Sequence, residues 1–310
     1  LITVERQGEY LNCGTEKPQY VSQTSSKIGL ADLMTYTEIS KVAGERLIQL
    51  CGMTLFDAAK NCINSEMIAG TTEEDVIAQI YENLKPEELY YFAEATVARP
   101  SDEIKHIEKR IKNGFSTGGM IIDLTKVPIW KDFTNESRNI RYKIHAWLMI
   151  DGFLIADQVA DDDKYLLMAS NIALDWVQRF VIDMEPDEFA WYDMAVGQRA
   201  TKLAYILRRL VETKADEKDI FKMIIAVEIH MIELSQLERI ATHSNHGLFQ
   251  LVGLYALSKS LKIMRKSKTT SEFGEQILSK MLTEHFAIDG LHLEHSSEFH
   301  LYMINLLNSF

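Results

Sequence analysis

The 310-residue chain carries only three cysteines, Cys13, Cys51 and Cys62, and no Cys-x-x-Cys pair. A disulfide framework or a cysteine-held zinc needs more thiols at closer spacing, so all three are expected to be free. Cys51 and Cys62 stand about three helical turns apart and read as small buried hydrophobes on one face. Also missing is any run approaching the roughly 20 apolar residues that span a membrane. The opening ten residues carry Glu5, Arg6 and Glu9 in place of a secretion signal. Basic excess is absent too: 33 Lys and Arg against 45 Asp and Glu leave a net charge of −12. Neutralising phosphates takes a concentrated basic surface, which sets nucleic acid aside as a partner. A polyanionic sugar would need a local basic groove working against the overall field. With no fixed-period repeat, the common solenoid families are disfavoured as well.

What is present is a chain rich enough in apolar residues for one large domain or two. Beyond the first thirty residues the apolar spacing is helical nearly throughout. It predicts helices over 33–50, 73–84, 86–96, 102–112, 139–160, 162–181, 189–212, 218–240, 246–265, 271–286 and 296–308. Thr72 ahead of three acidic residues marks a helix start, and Pro86 suits a first turn. Over 113–139 the pattern breaks around Gly114, Gly118, Gly119 and Pro128, which predicts a long irregular connection. The division expected there is an N-terminal helical region, 1–122, and a larger helical domain, 123–310. Long helices with short connections pack as antiparallel neighbours, and there are too many for a four-helix bundle. The fold class is therefore all-α, a curved array of helical hairpins. Because the apolar helical pattern runs to the last residues, a further C-terminal part is expected.

Three segments concentrate chemistry. His243-Ser244-Asn245-His246-Gly247 precedes an apolar run, so an amide and an imidazole sit at a helix start, where the dipole favours an anion. The plainer reading is an N-cap with exposed histidines. Residues 289–300 gather three histidines and three carboxylates around a turn, including Glu294, Phe299 and His300. A metal held by His292 and His295 would require a specially folded loop, and no metal ligand set is assigned. Trp191-Tyr192-Asp193-Met194, continuing to Arg199, places Trp191, Ala195 and Gln198 or Arg199 along one side of a helix. There they would line a groove, or else Trp191 faces the core and Arg199 the solvent.

Taken together, in order and spacing, these segments resemble the heparinase II/III family and the related alginate lyases. The family pattern runs from a Trp-x-Asp-Met-x-x-Gly-x-Arg-like helix to Asn-His-Gly and then to Gly-x-x-x-Glu-x-Ser-x-x-Tyr-His. Upstream, Asp123 to Trp130 and Arg138 to Trp147 resemble the lead-in to the family's helical toroid, and the likeness extends from about Asp123 to His300. The resemblance implies an incomplete (α/α) toroid of antiparallel helical hairpins, with the family's C-terminal β-sandwich absent from this chain. It implies a lyase that cleaves an acidic, uronic-acid-containing polysaccharide by β-elimination, working in the periplasm or outside the cell. Asn245 would bind the uronate carboxylate, while His246 and His300 would serve proton transfer. Trp191, Arg199, His243, Glu294 and Phe299 would bind substrate. No cofactor is implied in this chain, and a metal would belong to the sandwich domain.

One position departs from the pattern: Phe299 stands where the family has tyrosine, and a phenyl ring transfers no proton. Either His246 or another histidine takes both transfers, or Tyr302 substitutes, or the protein is a catalytically impaired glycan-binding domain for capsule or exopolysaccharide.

Overall fold

The computed structural model of the chain describes residues 39–84, 100–127, 130–160 and 162–287. Among the described residues the elements are helical apart from one hairpin. Helices α1 (Lys41–Leu50), α2 (Leu55–Cys62) and α3 (Glu73–Asn83) start at Ser40, Thr54 and Thr72, whose hydroxyls each accept a backbone N–H from the first turn. These bonds satisfy donors that a helix start leaves open, which is why the short helices hold their boundaries. Helix α4 (Pro100–Asn113) leads into strands β1 (Phe115–Thr117) and β2 (Met120–Ile122), an antiparallel pair. The stretch expected to be an irregular connection therefore contains a hairpin, turned at Gly118 and Gly119, both at positive φ.

The helix predicted over 139–160 is interrupted. Helix α5 (Arg138–His145) ends before Trp147, which takes a left-handed conformation with φ 59°, and α6 (Asp151–Val159) resumes after a short 3-10 turn. A non-glycine residue in that region costs about 1–3 kcal/mol. Burial offsets the cost: Trp147 is fully buried and meets the Trp176 ring edge-on at 5.6 Å. Helix α7 (Lys164–Val177) continues as a π turn over Gln178–Ile182. Then come α8 (Asp193–Glu212), α9 (Glu217–Leu234), α10 (Asn245–Ser260) and α11 (Ser267–His285). Residues 86–96 and 296–308, also predicted helical, lie outside the described residues.

The short connections make α8, α9 and α10 reverse direction in turn, so α8 and α10 run parallel. The packing shows it directly. Asp193 meets His246, Gly197 faces Phe249 and Gln250, and Gly253 faces Gly197 and Ala200, both helices advancing together. A Cβ added at Gly197 would lie 2.5 Å from the Phe249 carbonyl oxygen. Two glycines thus let the helix backbones touch, and the two N-termini emerge side by side. The larger hydrophobic cluster runs from Ala43 to Met281, and a smaller one gathers Tyr142, Ala146, Phe189, Tyr192 and Ala195. Cys62 is buried in the larger one, whereas Cys51, expected to share its face, follows α1 and is exposed; both are free thiols. Among the described residues no helix is long and apolar enough to cross a membrane.

Candidate functional site

Asn245 and His246 are the first two residues of α10, both half-buried. Ser244 occupies the cap position, but its hydroxyl makes no capping bond and donates instead to the Ala241 carbonyl at 3.4 Å. Ser244 thus takes the cap position that the plainer reading gave it, without the side-chain bond of a usual cap. The loop before the helix is held from elsewhere. Buried Gln250 accepts the Ala241 N–H at 2.9 Å and donates to the Arg239 carbonyl at 2.8 Å. His285, at the end of α11, bonds the Thr242 carbonyl at 2.7 Å. His243 is exposed in this loop.

His246 Nδ1 lies 3.1 Å from Asp193 Oδ2. With a carboxylate as its partner, Nδ1 carries the proton, which leaves the Nε2 lone pair without a partner among the described residues. Asp193 is the first residue of α8; its other oxygen accepts the Met194 backbone N–H. The carboxylate thus sits where two parallel helix starts converge, a favourable place for negative charge.

Next to it, Tyr192 packs against Phe189, Tyr142 and His246, the last with ring centroids 6.4 Å apart. Arg138, exposed at the start of α5, donates to the Tyr192 hydroxyl oxygen at 2.5 Å, and its guanidinium lies over the same ring. Burial and the neighbouring Asp193 charge raise the Tyr192 phenol above its ordinary value, against the opposing pull of Arg138. Among the described residues Arg138 has no carboxylate partner, so it is a local cation of the kind that a polyanionic ligand requires on an acidic protein. Tyr142 donates to Gln198 Oε1 at 2.8 Å and closes the cluster from α5.

Trp191 and Arg199, read either as lining a groove together or as a core-facing Trp with a solvated Arg, meet in the interior, so Trp191 faces the core as the second reading has it but Arg199 joins it there. Trp191 precedes α8 by two residues, and Arg199 has no exposed surface. The guanidinium lies 3.8 Å from the Trp176 ring centroid, with the Trp147 and Trp191 rings also against it. It donates to His230 Nε2 at 2.9 Å, to the His145 carbonyl at 2.6 Å and to the Ala190 carbonyl at 2.8 Å. The expectation of a solvated arginine fails because aromatic faces and three acceptors offset the loss of water. Arg199 is sealed from any ligand, and both side chains fix the turn that carries Tyr192 and Asp193.

His145 and His230 support the same turn. Trp176 Nε1 donates to His145 Nδ1 at 3.2 Å, and His145 Nε2 faces Asp187 at 3.3 Å. His230 holds its proton on Nδ1 toward the Ala226 carbonyl, since Nε2 accepts from Arg199. Burial, reinforced by the nearby Arg199 charge, keeps both imidazoles well below their ordinary pKa and so neutral.

Sequence reasoning singled out Asn245, His246 and His243 and missed Arg138, Tyr192 and Asp193. The signal for the latter two was present, since they sit inside the quoted Trp-Tyr-Asp-Met segment. Glu294, Phe299, His300 and Tyr302, with His292 and His295, lie outside the described residues. A cleft of about 390 Å³ lined by Ile39, Leu47, Phe180, Met184 and Trp191 includes neither Asn245 nor His246. Among the described residues no group of three or more His, Cys, Asp or Glu comes together to hold a metal.

The family of the heparinase II/III N-terminus matches residues 107–309. Among solved structures the chain is similar to a mutant of heparan sulfate lyase HepC from Pedobacter heparinus, with 18% identity and a TM-score of 0.59, covering 91% of this chain and 44% of that one. The unmutated HepC gives 18%, 0.58, 89% and 43% in the same order. A structure of heparinase III gives 15%, 0.56, 81% and 42%. The chain therefore spans less than half the length of each of these proteins, and at such identity the likeness shows the fold. No curated protein matches the chain.

Proposed function

The chain belongs to the heparinase II/III family through that N-terminal domain, and on this premise we propose that it is the helical part of a polysaccharide lyase acting on uronic-acid-containing polysaccharide by β-elimination. The observation that carries the reading is the His246–Asp193 pair at 3.1 Å, set beside Asn245 where two helices begin. In the reaction a base removes the proton α to the uronate carboxylate. The released electron pair forms the ring double bond, and the glycosidic oxygen leaves with a proton. Negative charge builds on the carboxylate, where the Asn245 amide, the open N–H groups of α10 and the positive end of its dipole act together. His246, its Nδ1 committed to Asp193, presents Nε2 as the base. Arg138 supplies the local positive charge that the net charge of the chain does not. Family resemblance supports a site of action in the periplasm or outside the cell.

Incubation of the full chain with alginate, heparan sulfate and bacterial capsule polymers tests this, read by the ultraviolet absorbance of an unsaturated uronate. Product that disappears in Asn245→Ala and His246→Ala is expected. Silence across the panel would end the lyase reading. Phe299 motivates one alternative, a glycan-binding domain without turnover. Binding that survives both substitutions with no product would favour it.

A further inference from the structure

The sequence holds phenylalanine at position 299, where the family pattern has a tyrosine, so a lyase built on this chain needs another proton donor for the departing sugar oxygen. Of the described tyrosines, Tyr192 is the one that touches the His246 pair. Its ring meets His246 edge-on, it adjoins Asp193 in the chain, and its hydroxyl lies beside an exposed cation. We propose that Tyr192 is the catalytic acid of this protein, a proposal that rests on the lyase reading above.

The hydrogen-bond directions suit that role. A guanidinium only donates, so the Arg138 contact uses a lone pair of the phenol oxygen, while the hydroxyl hydrogen is shared with the neighbouring Asp193 carboxylate until the sugar oxygen takes it. Once the proton has gone, the same Arg138 N–H faces a phenolate, and a charge-assisted bond is stronger than the neutral one it replaces. The raised phenol pKa keeps Tyr192 protonated at neutral pH, as an acid must be and a base must not. Tyr192 is 8% exposed, its ring face covered by Phe189 and Tyr142.

The step balances with these residues alone. His246 Nε2 takes the proton α to the carboxylate, and the C–H electron pair becomes the new ring double bond. The bond from the β carbon to the glycosidic oxygen breaks, and that oxygen takes the Tyr192 hydroxyl proton. An imidazolium and a phenolate remain as neighbours, and transfer of one proton between them, directly or through water, restores the starting state.

Tyr192→Phe in the full chain is the test. The expected result is a fall in kcat of at least about 10²-fold, the usual range for loss of a general acid, with KM and the melting temperature nearly unchanged. Turnover retained in Tyr192→Phe, with the wild type active, overturns the assignment and leaves the lyase reading standing. A wild type silent on the whole polysaccharide panel removes both. Should Tyr192→Phe fail to fold, 3-fluorotyrosine at position 192 keeps the shape and acidifies the phenol. It should then move the alkaline limb of the kcat profile to lower pH; an unmoved limb contradicts the proposal.

Discussion

Replacing Gly253 by alanine tests the packing that brings the two helix starts together. An alanine in a helix interior is ordinarily better than glycine by about 1 kcal/mol, so propensity alone predicts stabilisation. The structure predicts the reverse. The new Cβ would stand 2.9 Å from both the Gly197 carbonyl carbon and the Ala200 Cβ, and closer still to the Gly197 carbonyl oxygen. Carbon atoms prefer about 3.5–4.0 Å, so α8 and α10 must part by roughly 0.6–1.1 Å. Backbone cannot rotate out of the way as a side chain can. That puts the overpacking penalty near the upper end of its range, about 3 kcal/mol, and the net loss near about 2 kcal/mol. Gly274→Ala is the matched control, because its Cβ would lie 3.4 Å from a flexible Leu254 methyl, an ordinary contact. It should gain about 0.5–1 kcal/mol. At about 2–4 °C per kcal/mol, thermal unfolding should show Gly253→Ala about 4–8 °C below wild type and Gly274→Ala a few degrees above. The same parting, carried to the first turn, takes the 3.1 Å His246–Asp193 pair beyond hydrogen-bond reach. A Gly253→Ala protein as stable as wild type would refute the close parallel contact and, with it, the placement of Asp193 against His246.

Three further outcomes follow from the same geometry. Asp193→Asn removes the partner that fixes the His246 tautomer while leaving the fold intact; kcat should fall about 10²-fold with KM little changed, and an unaltered kcat would show that the pair does not orient the base. Arg199→Met leaves the His230 nitrogen and two buried carbonyls without donors. At about 1–3 kcal/mol for each unsatisfied group, denaturant unfolding should show at least about 3 kcal/mol lost, with Arg199→Lys rescuing little because an ammonium cannot span all three acceptors; full stability in either variant would be contrary to this account. His145 and His230 are neutral in the folded protein, whereas the unfolded chain protonates them near pH 6.5, so their contribution is complete above that value and lost as pH falls below it. A His230→Gln variant should therefore show a stability slope smaller than wild type by about 1.4 kcal/mol per pH unit below about pH 6, measured by urea unfolding; equal slopes would mean that His230 is protonated in the fold.

The helices were legible because their apolar spacing is a local signal, and Thr72 starts α3 as its position ahead of three acids predicts. The break at Trp147 was not legible. Ala146 to Ile150 are all apolar and carry no breaking residue, and the left-handed turn is held by distant Trp176 and Arg199, which receive the indole. Asn245 and His246 stood out because an amide and an imidazole before an apolar run form a local pattern. Their partner did not, since Asp193 lies 53 residues from His246 and arrives through the parallel course of α8 and α10. Arg199 was visible but misplaced. An arginine is almost never fully buried unless its donors are matched, and the matching groups here are two main-chain carbonyls and a histidine, which leave no charge pattern to read.

These placements explain the spacing of the segment that begins at Trp191, because each residue in it faces a different neighbour. Trp191 closes the aromatic cage, Tyr192 meets Arg138, Asp193 meets His246, Gly197 admits the backbone of α10, and Arg199 returns to bind the carbonyl of Ala190. That last bond makes the segment self-referential. Arg199, anchored one and a half turns into α8, pins the residue just before Trp191, so the turn carrying Tyr192 and Asp193 is clamped at both ends. The proposed proton transfer requires its groups to be held to within a fraction of an ångström, and first-turn residues of a helix are otherwise prone to fraying. Burying a charged guanidinium behind them, at a cost that only a complete set of acceptors offsets, ties the geometry of the site to the integrity of the core. Loss of the Arg199 contacts should therefore loosen Tyr192 and Asp193 before it unfolds the chain, and substitutions at this buried position should act on the site without touching a ligand.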